Sequence, residues 1–200
     1  MKFCAASALL ATLAASTAFA APAAPVAPPP VVQGPPIPGL CVLSVNQAIS
    51  TSTVGRYVSE RMSQIVSQVK AELGPEDTAI STEGRALEAA RPTLAAATFQ
   101  SRAEALQGRV NALRQKADLR QREVQATEQK SINRIAQELD PVARQLYQAK
   151  RCSILVNKDS VMIANPEMDL TSQAVAALNG RIQQFAFDRE HLDTQTAAAR

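Results

Sequence analysis

The sequence predicts an α+β fold that is mostly helical, with a small β body and one long antiparallel helical-hairpin arm. Apolar residues recur three, four or seven positions apart from Val54 to Leu146, which is the spacing of one face of a long helix. Short β-branched stretches flank this region at residues 40–46 and 152–164. With no Trp, two Tyr and five Phe, the chain lacks the bulky side chains that fill a compact globule.

The N-terminal segment, residues 1–20, is predicted to be a cleavable export signal. A basic start is followed by an apolar run too short to cross a bilayer, and Ala18-Phe19-Ala20 has the small-x-small cleavage pattern. A buried Ala-rich helix is the alternative interpretation. Residues 21–39 contain eight of the twelve prolines and are predicted to be a disordered, extended tether or a proline-rich ligand for another domain.

A strand is predicted next, over Leu40–Asn46, followed by the first arm helix from Val54. Gly74-Pro75 interrupts this helix and predicts a kink or restart rather than an end. Apolar residues in this helix and in the turn after it repeat every seven positions, as in a heptad seam. They are Leu73, Ile80, Leu87 and Leu94.

Arg91-Pro92-Thr93 predicts the turn of the hairpin, with Pro92 as first residue or Thr98 as cap of the second helix. Between residues 117 and 132 the apolar seam of this helix slips by one position and includes Arg120 and Glu128, so strict coiled-coil register is lost. Asp140-Pro141 predicts the start of a final short helix that ends near Lys150. The arm is therefore assigned to residues 54–150.

The β pattern returns after the arm. A strand is predicted over Cys152–Asn157, a turn at Lys158–Ser160 and a returning strand over Val161–Ala164. Asp169 or Thr171 is expected to cap a last amphipathic helix. These predictions define a β-rich body of residues 40–53 and 151–187, and a polar tail of residues 188–200.

Three short strands per chain make a sheet that is too small to be stable alone and that exposes its edges. Joining the sheets of several copies would remove this problem, so we expect the body to be completed by oligomerisation. The candidate contacts are the apolar positions of the predicted strands: Val42, Val45, Ile154, Val156, Val161 and Ile163.

Cys41 and Cys152 each begin a predicted strand, and those strands should be neighbours in the body. In an oxidising compartment they could form a disulfide, which on the chain-entropy model would contribute about 4–5 kcal/mol by closing a loop of about 110 residues. Two buried free thiols are the alternative.

We expect no enzyme activity and no cofactor, because no nucleotide-binding, metal-binding or nucleophile motif is present. His191, the only histidine, is expected to be a surface residue. Residues 101–151 contain eleven basic and six acidic side chains. This excess indicates either a solvated helix face or attraction of negatively charged clients or lipid headgroups, and nucleic acid is disfavoured because no aromatic residues are interleaved. Candidate contacts are Arg109, Arg114, Lys116, Arg120 and Arg122.

The most specific motif in the chain is a predicted hairpin followed by D-[IL]-T and a V-x-x-L-N helix. It is formed by Asp169, Leu170, Thr171, Val175, Leu178 and Asn179, with weaker matches at Val45-Asn46 and Gly55. Over residues 40–183 the chain thereby resembles the Skp/OmpH family of periplasmic chaperones. The resemblance implies a homotrimer, in which a β-rich body holds three helical arms around a cavity for unfolded outer-membrane proteins. The Pro-rich tether, the cysteine pair and the tail depart from the family pattern.

Two functions fit these features. The first is an ATP-independent periplasmic holdase that binds unfolded outer-membrane proteins through many weak apolar contacts and prevents their aggregation. The second is a structural coiled-coil spacer or adaptor of the cell envelope. Apolar residues at seam spacing, such as Val110, Leu113 and Val124, could contact a client or the partner helix.

Overall fold

The computed structural model describes residues 32–192. The mostly helical α+β class with a long helical hairpin is confirmed. The predicted export signal, residues 21–31 of the tether and residues 193–200 of the tail lie outside the described residues. The elements in chain order are β1 (Leu40–Leu43), α1 (Val45–Thr51), α2 (Thr53–Ala90), α3 (Ala96–Ala149), β2 (Ile154–Asn157) and α4 (Thr171–Arg181).

The strands β1 and β2 pair in parallel, from Leu40 opposite Ile154 to Leu43 opposite Asn157. Parallel neighbours require a long crossover connection, and here the connection consists of α1 and the two arm helices. The prediction that these strands are neighbours is confirmed. None of the helices in residues 32–192 is long and apolar enough to cross a bilayer.

The predicted third strand is wrong. Val161–Ala164 forms no strand, and the described residues contain a two-stranded sheet. On the free side of β1, Asp169 forms a parallel bridge with Val42, and the Leu170 amide donates a 2.9 Å hydrogen bond to the Val42 carbonyl. That position beside β1 is therefore taken by the residues just before α4, and residues 161–164 have no strand partner among residues 32–192.

The first predicted strand is too long, because Ser44 ends it. The Ser44 hydroxyl accepts a hydrogen bond from the Gln47 amide and caps α1, as serine does at many helix starts. Val45, predicted as a strand residue, is instead the first residue of α1 and is partly exposed. Val42 is buried, with 2% of its surface exposed, so it packs inside the body and is not available to another copy.

The arm consists of α2 and α3, of 38 and 54 residues. As predicted, Pro75 does not end α2. The prediction that Asp140-Pro141 starts a separate helix is wrong, because α3 continues through Pro141. An internal proline costs about 3 kcal/mol, and burial of the flanking Leu139 and Val142 in the core offsets this cost.

The start of α3 also differs from the prediction. Neither Pro92 nor Thr98 begins the helix: Ala95 is its N-cap and makes no side-chain hydrogen bond. The Thr93 hydroxyl instead donates to the Ala90 carbonyl at the end of α2. The arm tip is thus a short turn in which residues 91–95 connect the two helices.

The hydrophobic core lies where the base of the arm meets α1 and α4. Its fully buried members come from β1 and all four helices: Leu43, Ala48, Val54, Val58, Ile135, Leu139, Val142, Ala174 and Leu178. A smaller cluster of Cys41, Cys152 and Leu170 lies beside the sheet. The body therefore owes its stability mainly to helix packing.

Gly55 marks a close approach between α2 and the end of α1. A Cβ atom at this position would overlap the carbonyl oxygen of Ile49. We predict that Gly55→Ala lowers the free energy of unfolding by about 1–3 kcal/mol, as overpacking does in other cores. Urea denaturation followed by circular dichroism measures the change.

The matched control is Gly108→Ala, because a Cβ atom at Gly108, in the interior of α3, would meet no atom within 4 Å. This substitution should raise the free energy of unfolding by about 0.5–1 kcal/mol through helix propensity. Stabilisation by both substitutions would contradict the close approach at Gly55.

Candidate functional site

The D-L-T motif ties the start of α4 to the sheet. The Asp169 carboxylate accepts hydrogen bonds from the Thr171 amide, at 2.8 Å, and from the Lys158 ammonium group. Burial alone would raise the pKa of Asp169, but these hydrogen bonds outweigh it and hold the pKa below its ordinary value. The Thr171 hydroxyl accepts the Ser44 amide at 3.0 Å. Asp169 therefore accepts the hydrogen bond of the exposed backbone amide at the start of α4, and Thr171 connects α4 to the end of β1.

Asp159 makes a second link between the same parts of the body. Its carboxylate accepts hydrogen bonds from the Ser44 hydroxyl, at 2.7 Å, and from the Asn46 side-chain amide, at 2.8 Å. In the V-x-x-L-N motif of α4, the Asn179 side chain accepts a hydrogen bond from the Thr53 amide at 2.7 Å and so helps to cap α2. These polar residues have structural duties, which accounts for their presence without acid–base chemistry.

Cys41 and Cys152 form a disulfide, with their Cα atoms 5.8 Å apart and a sequence separation of 111 residues. The bond lies next to the strand pairing, because Cys41 is in β1 and Cys152 comes two residues before β2. Residues 34–39 of the predicted tether are also held at this side of the body: the Asn165 side chain donates to the Gly34 carbonyl, and Ile37 donates its amide to the Met168 sulfur.

An apolar patch is exposed on β2 and on residues 161–163, which follow it in the chain. Ile154, Met162 and Ile163 are 58%, 101% and 67% exposed, while Val156 and Val161 are half-buried. Exposed large apolar side chains next to an unpaired strand edge are typical of an interaction surface. Four of the predicted oligomerisation contacts, Ile154, Val156, Val161 and Ile163, thus belong to this part of the body, whereas Val42 lies inside it.

Three of the five basic residues proposed as anion contacts have intramolecular partners. Arg109 pairs with Glu76 and Glu83, and Lys116 and Arg120 both pair with Glu72. These ion pairs connect α3 to α2 along the arm and neutralise part of the predicted positive field. Arg114 and Arg122 are exposed, and no ion pair is formed by either within residues 32–192.

The segment after α4, predicted to end in a free polar tail, instead packs along the arm base. We name residues 183–192 the strap. Burial alternates along it, since Phe185, Phe187 and Arg189 are partly buried while Ala186 and Asp188 are exposed. Alternation of this kind indicates an extended chain with one face against the protein. The prediction of a polar tail from residue 188 is therefore wrong for residues 188–192.

Aromatic side chains hold the first half of the strap. Phe185 and Phe187 pack against the hydrophobic core, and Phe187 meets Tyr57 of α2 edge to face, with ring centroids 6.5 Å apart. Arg61 pairs with Asp188. The strap thereby contacts α2 as well as α3.

Charged side chains hold the second half. We name Glu72, Lys116, Arg120, Glu123 and Arg189 the ionic cluster. Glu123 has none of its surface exposed. Its carboxylate pairs with Arg120 at 3.0 Å and Arg189 at 3.3 Å, and it accepts the Leu192 amide at 3.3 Å. A buried carboxylate must be compensated in this way, because an unpaired one would cost several kcal/mol.

Glu72 is the second acid of the cluster and pairs with all three of its cations. Burial alone would raise the pKa of Glu72, but hydrogen bonds from Arg189, Lys116 and Arg120 outweigh it and lower the pKa from 4.5 to about 2. Burial alone would lower the pKa of Arg120, but the hydrogen bonds that Arg120 donates to Glu72 and Glu123 outweigh it and raise the pKa.

Sequence reasoning missed the strap and the two acids of the ionic cluster, although the seam slip contained the signal. Glu123, Thr127 and Ser131 are buried, and they lie four apart in line with Ile135 and Leu139 of the core. The buried face of α3 thus changes from apolar to polar. A polar stripe at seam positions requires a polar partner, which here is the strap.

We predict that Glu72→Gln lowers the free energy of unfolding by about 1–2 kcal/mol at pH 7, because it removes charge-assisted hydrogen bonds. A depressed pKa contributes stability that is complete above the unfolded pKa and is lost as the pH falls through the folded pKa. The difference from wild type should therefore shrink below pH 4.5 and vanish only below about pH 2. Urea denaturation across this range measures it.

Glu60→Gln is the matched control, because Glu60 is an exposed residue of the same helix. Its effect should stay within about 0.5 kcal/mol at every pH. A Glu72→Gln difference that persists unchanged to pH 2 would contradict the ion-pair assignment.

The described residues 32–192 contain no group of three His, Cys, Asp or Glu side chains suited to hold a metal ion. Chemically, the arrangement offers surfaces for binding: the apolar patch beside β2, the half-buried arm seam and the groove that the strap occupies.

Comparisons with known proteins agree with this geometry. The sequence model of the family described as outer membrane protein (OmpH-like) matches residues 39–178. No functionally curated protein gave a significant match. Among solved structures, the crystal structure of an OmpH-like outer membrane chaperone candidate from Caulobacter crescentus is similar, with a TM-score of 0.73 and 45% sequence identity. The match covers 83% of this chain and 98% of that one. The chain therefore belongs to the family of OmpH-like outer membrane proteins.

Proposed function

We propose that the protein is an ATP-independent periplasmic holdase chaperone. In this proposal it assembles as a homotrimer, binds unfolded outer-membrane proteins in the cavity between its helical arms and prevents their aggregation. The chaperone role rests on membership of the OmpH-like family and on the similarity to the Caulobacter crescentus structure. The manner of binding rests on the surface of the arm.

The observation that carries the proposal is the incomplete burial of the arm seam. Between residues 73 and 113 the two helices leave most of their apolar seam residues half-buried, whereas Leu87 is buried. Such a surface offers an unfolded chain many shallow contacts and no deep pocket, so it binds without selecting one sequence. Affinity then arises from several arms acting together. The half-buried seam residues are Leu73, Ile80, Leu94, Leu106, Val110 and Leu113.

The apolar patch supports assembly. Within residues 32–192 one edge of β2 is unpaired, and Ile154 of β2 and the nearby residue Ile163 of the following segment are exposed. Pairing with other copies would cover both the edge and the patch, and it would hold the arms of several chains around one space. Arg114 and Arg122 are the exposed cations proposed to contact negatively charged clients or lipid headgroups.

The first test is suppression of aggregation. When a urea-denatured outer-membrane β-barrel protein is diluted into buffer, excess chaperone should abolish most of the light scattering. Scattering that does not change at excess protein would favour the structural spacer instead.

The second test addresses assembly. We predict that Ile154→Lys combined with Ile163→Lys dissociates the oligomer, because two charges per chain would be buried at the interface at a cost of several kcal/mol each. Sedimentation velocity measures the mass, and circular dichroism should report nearly unchanged helix content, since the arm does not depend on the patch. The dissociated variant should also lose suppression of aggregation.

The control carries the same two charges elsewhere, as Gln115→Lys with Gln121→Lys on exposed positions of α3. It should sediment like the wild type. An intact oligomer in the Ile154→Lys, Ile163→Lys variant would show that assembly uses another surface.

A further inference from the structure

The groove beneath the strap is the surface that neither the family assignment nor the proposed function explains. The strap, residues 183–192, follows the family match, which ends at residue 178. It crosses both arm helices near the core, touching Tyr57 and Arg61 of α2 and Thr127 and Lys130 of α3. The contacts of the strap indicate which kind of peptide segment fits this groove.

The groove holds the strap backbone through side chains of the arm. Arg61 donates to the Phe187 carbonyl at 3.5 Å, the Thr127 hydroxyl accepts the Glu190 amide at 2.9 Å, and the Glu123 carboxylate accepts the Leu192 amide. Carbonyl and amide groups are common to every peptide. Any extended segment of suitable length could therefore form these three bonds.

Side chains of the strap add a pattern requirement. Two aromatic rings at alternate positions, Phe185 and Phe187, reach the apolar base of the groove. Two residues later, Arg189 reaches the partly buried Glu72 and the buried Glu123. The fitting segment is thus extended, with apolar or aromatic residues at alternate positions followed by a cation.

The strap fills the groove only in part. A cleft of about 950 Å³ lies between the strap and residues 126–137 of α3, and one of about 450 Å³ lies between the strap and residues 57–64 of α2. The strap has no regular secondary structure up to residue 191. The outer ion pairs of Asp188 with Arg61 and of Glu190 with Lys130 each have one exposed partner, Asp188 or Lys130, and ion pairs open to solvent contribute little to stability.

We propose that the strap groove is a binding site for extended client segments, and that the strap is a built-in competitor that occupies it until a client displaces it. This inference rests on the proposed chaperone function. The strands of outer-membrane barrels place apolar residues at alternate positions and carry aromatic girdles, and the strap presents two aromatic residues at alternate positions, Phe185 and Phe187. The groove would give each arm one site that recognises unfolded β-strand sequence.

A peptide with the strap sequence, QQFAFDREHL, tests the competition. Fluorescence anisotropy measures its binding to the purified wild type and to the full-length variant Phe185→Ser, Phe187→Ser. In the wild type the strap occupies the groove most of the time, and a site that is rarely free binds its ligand more weakly in proportion to the free fraction. The peptide should therefore bind the variant at least about tenfold more tightly than the wild type. Equal affinity, or no binding to a variant with unchanged helix content, would overturn the proposal.

Two controls isolate the groove. Phe99→Ser makes the same substitution at the arm tip, where Phe99 lies under Arg91, and it should bind the peptide like the wild type. A peptide in which both Phe are replaced by Ser should bind neither protein. Equal binding of this control peptide would show that the aromatic pattern is not recognised.

Hydrogen–deuterium exchange on the unmodified protein keeps the proposal testable if the double variant does not fold. Adding an unfolded β-barrel client should expose the Glu190 and Leu192 amides and increase their exchange at least severalfold. If the protein suppresses the light scattering of the client but the exchange of these amides is unchanged, the strap proposal is wrong and the chaperone function stands. If scattering shows no client binding, both inferences are wrong.

Discussion

The parallel pairing of β1 with β2 brings together two segments that are separated by the whole arm, and the rest of the structure depends on this closure. Closing so long an excursion is costly in chain entropy. The Cys41–Cys152 disulfide, with a sequence separation of 111, offsets the cost by about 4–5 kcal/mol on the chain-entropy model. With both ends fixed, α2 and α3 must run side by side, and α4 can dock on β1 through Thr171 and Leu170.

Packing along the arm changes in character with distance from the body. At the base, Ile135 and Leu139 are buried among the helices of the core, and the hydrophobic effect dominates. Above it, the same face of α3 carries Glu123, whose charge is compensated by cations from α3 and the strap. Beyond that point ion pairs such as Arg109 with Glu76 cross between helices that leave their apolar residues half-buried. The strap therefore supplies polar partners at the level of Glu123, where neither apolar packing nor solvent can compensate the buried polar side chains.

Local pattern predicted the elements of this fold well, whereas partner choice was harder to predict. Helical periodicity located both arm helices, and alternation located β1 and β2, because both signals repeat within a few residues. The third strand failed since Val161–Ala164 has strand propensity but Asp169 takes the place beside β1. Pro141 was misread because core packing overrides its local preference.

The ionic cluster joins residues 72, 123 and 189, and no local pattern specifies contacts over such separations. The spacing of Phe185 and Phe187 fits an extended chain, but it does not specify a groove between helices as the partner.

The arm has two kinds of surface that would hold a client in different ways. Half-buried seam residues toward the arm tip offer contacts without direction, so an unfolded chain could slide along them at little cost in free energy. The strap groove at the base combines backbone hydrogen bonds, an aromatic site and two acids, of which Glu123 is buried, and these would fix both the direction and the register of an extended segment. A chaperone with both kinds of surface can hold a client loosely over most of its length and firmly at one segment per arm. Because the strap already occupies the firm site, occupancy by a client would be reversible by the chain's own strap, which provides a route to release that requires no nucleotide.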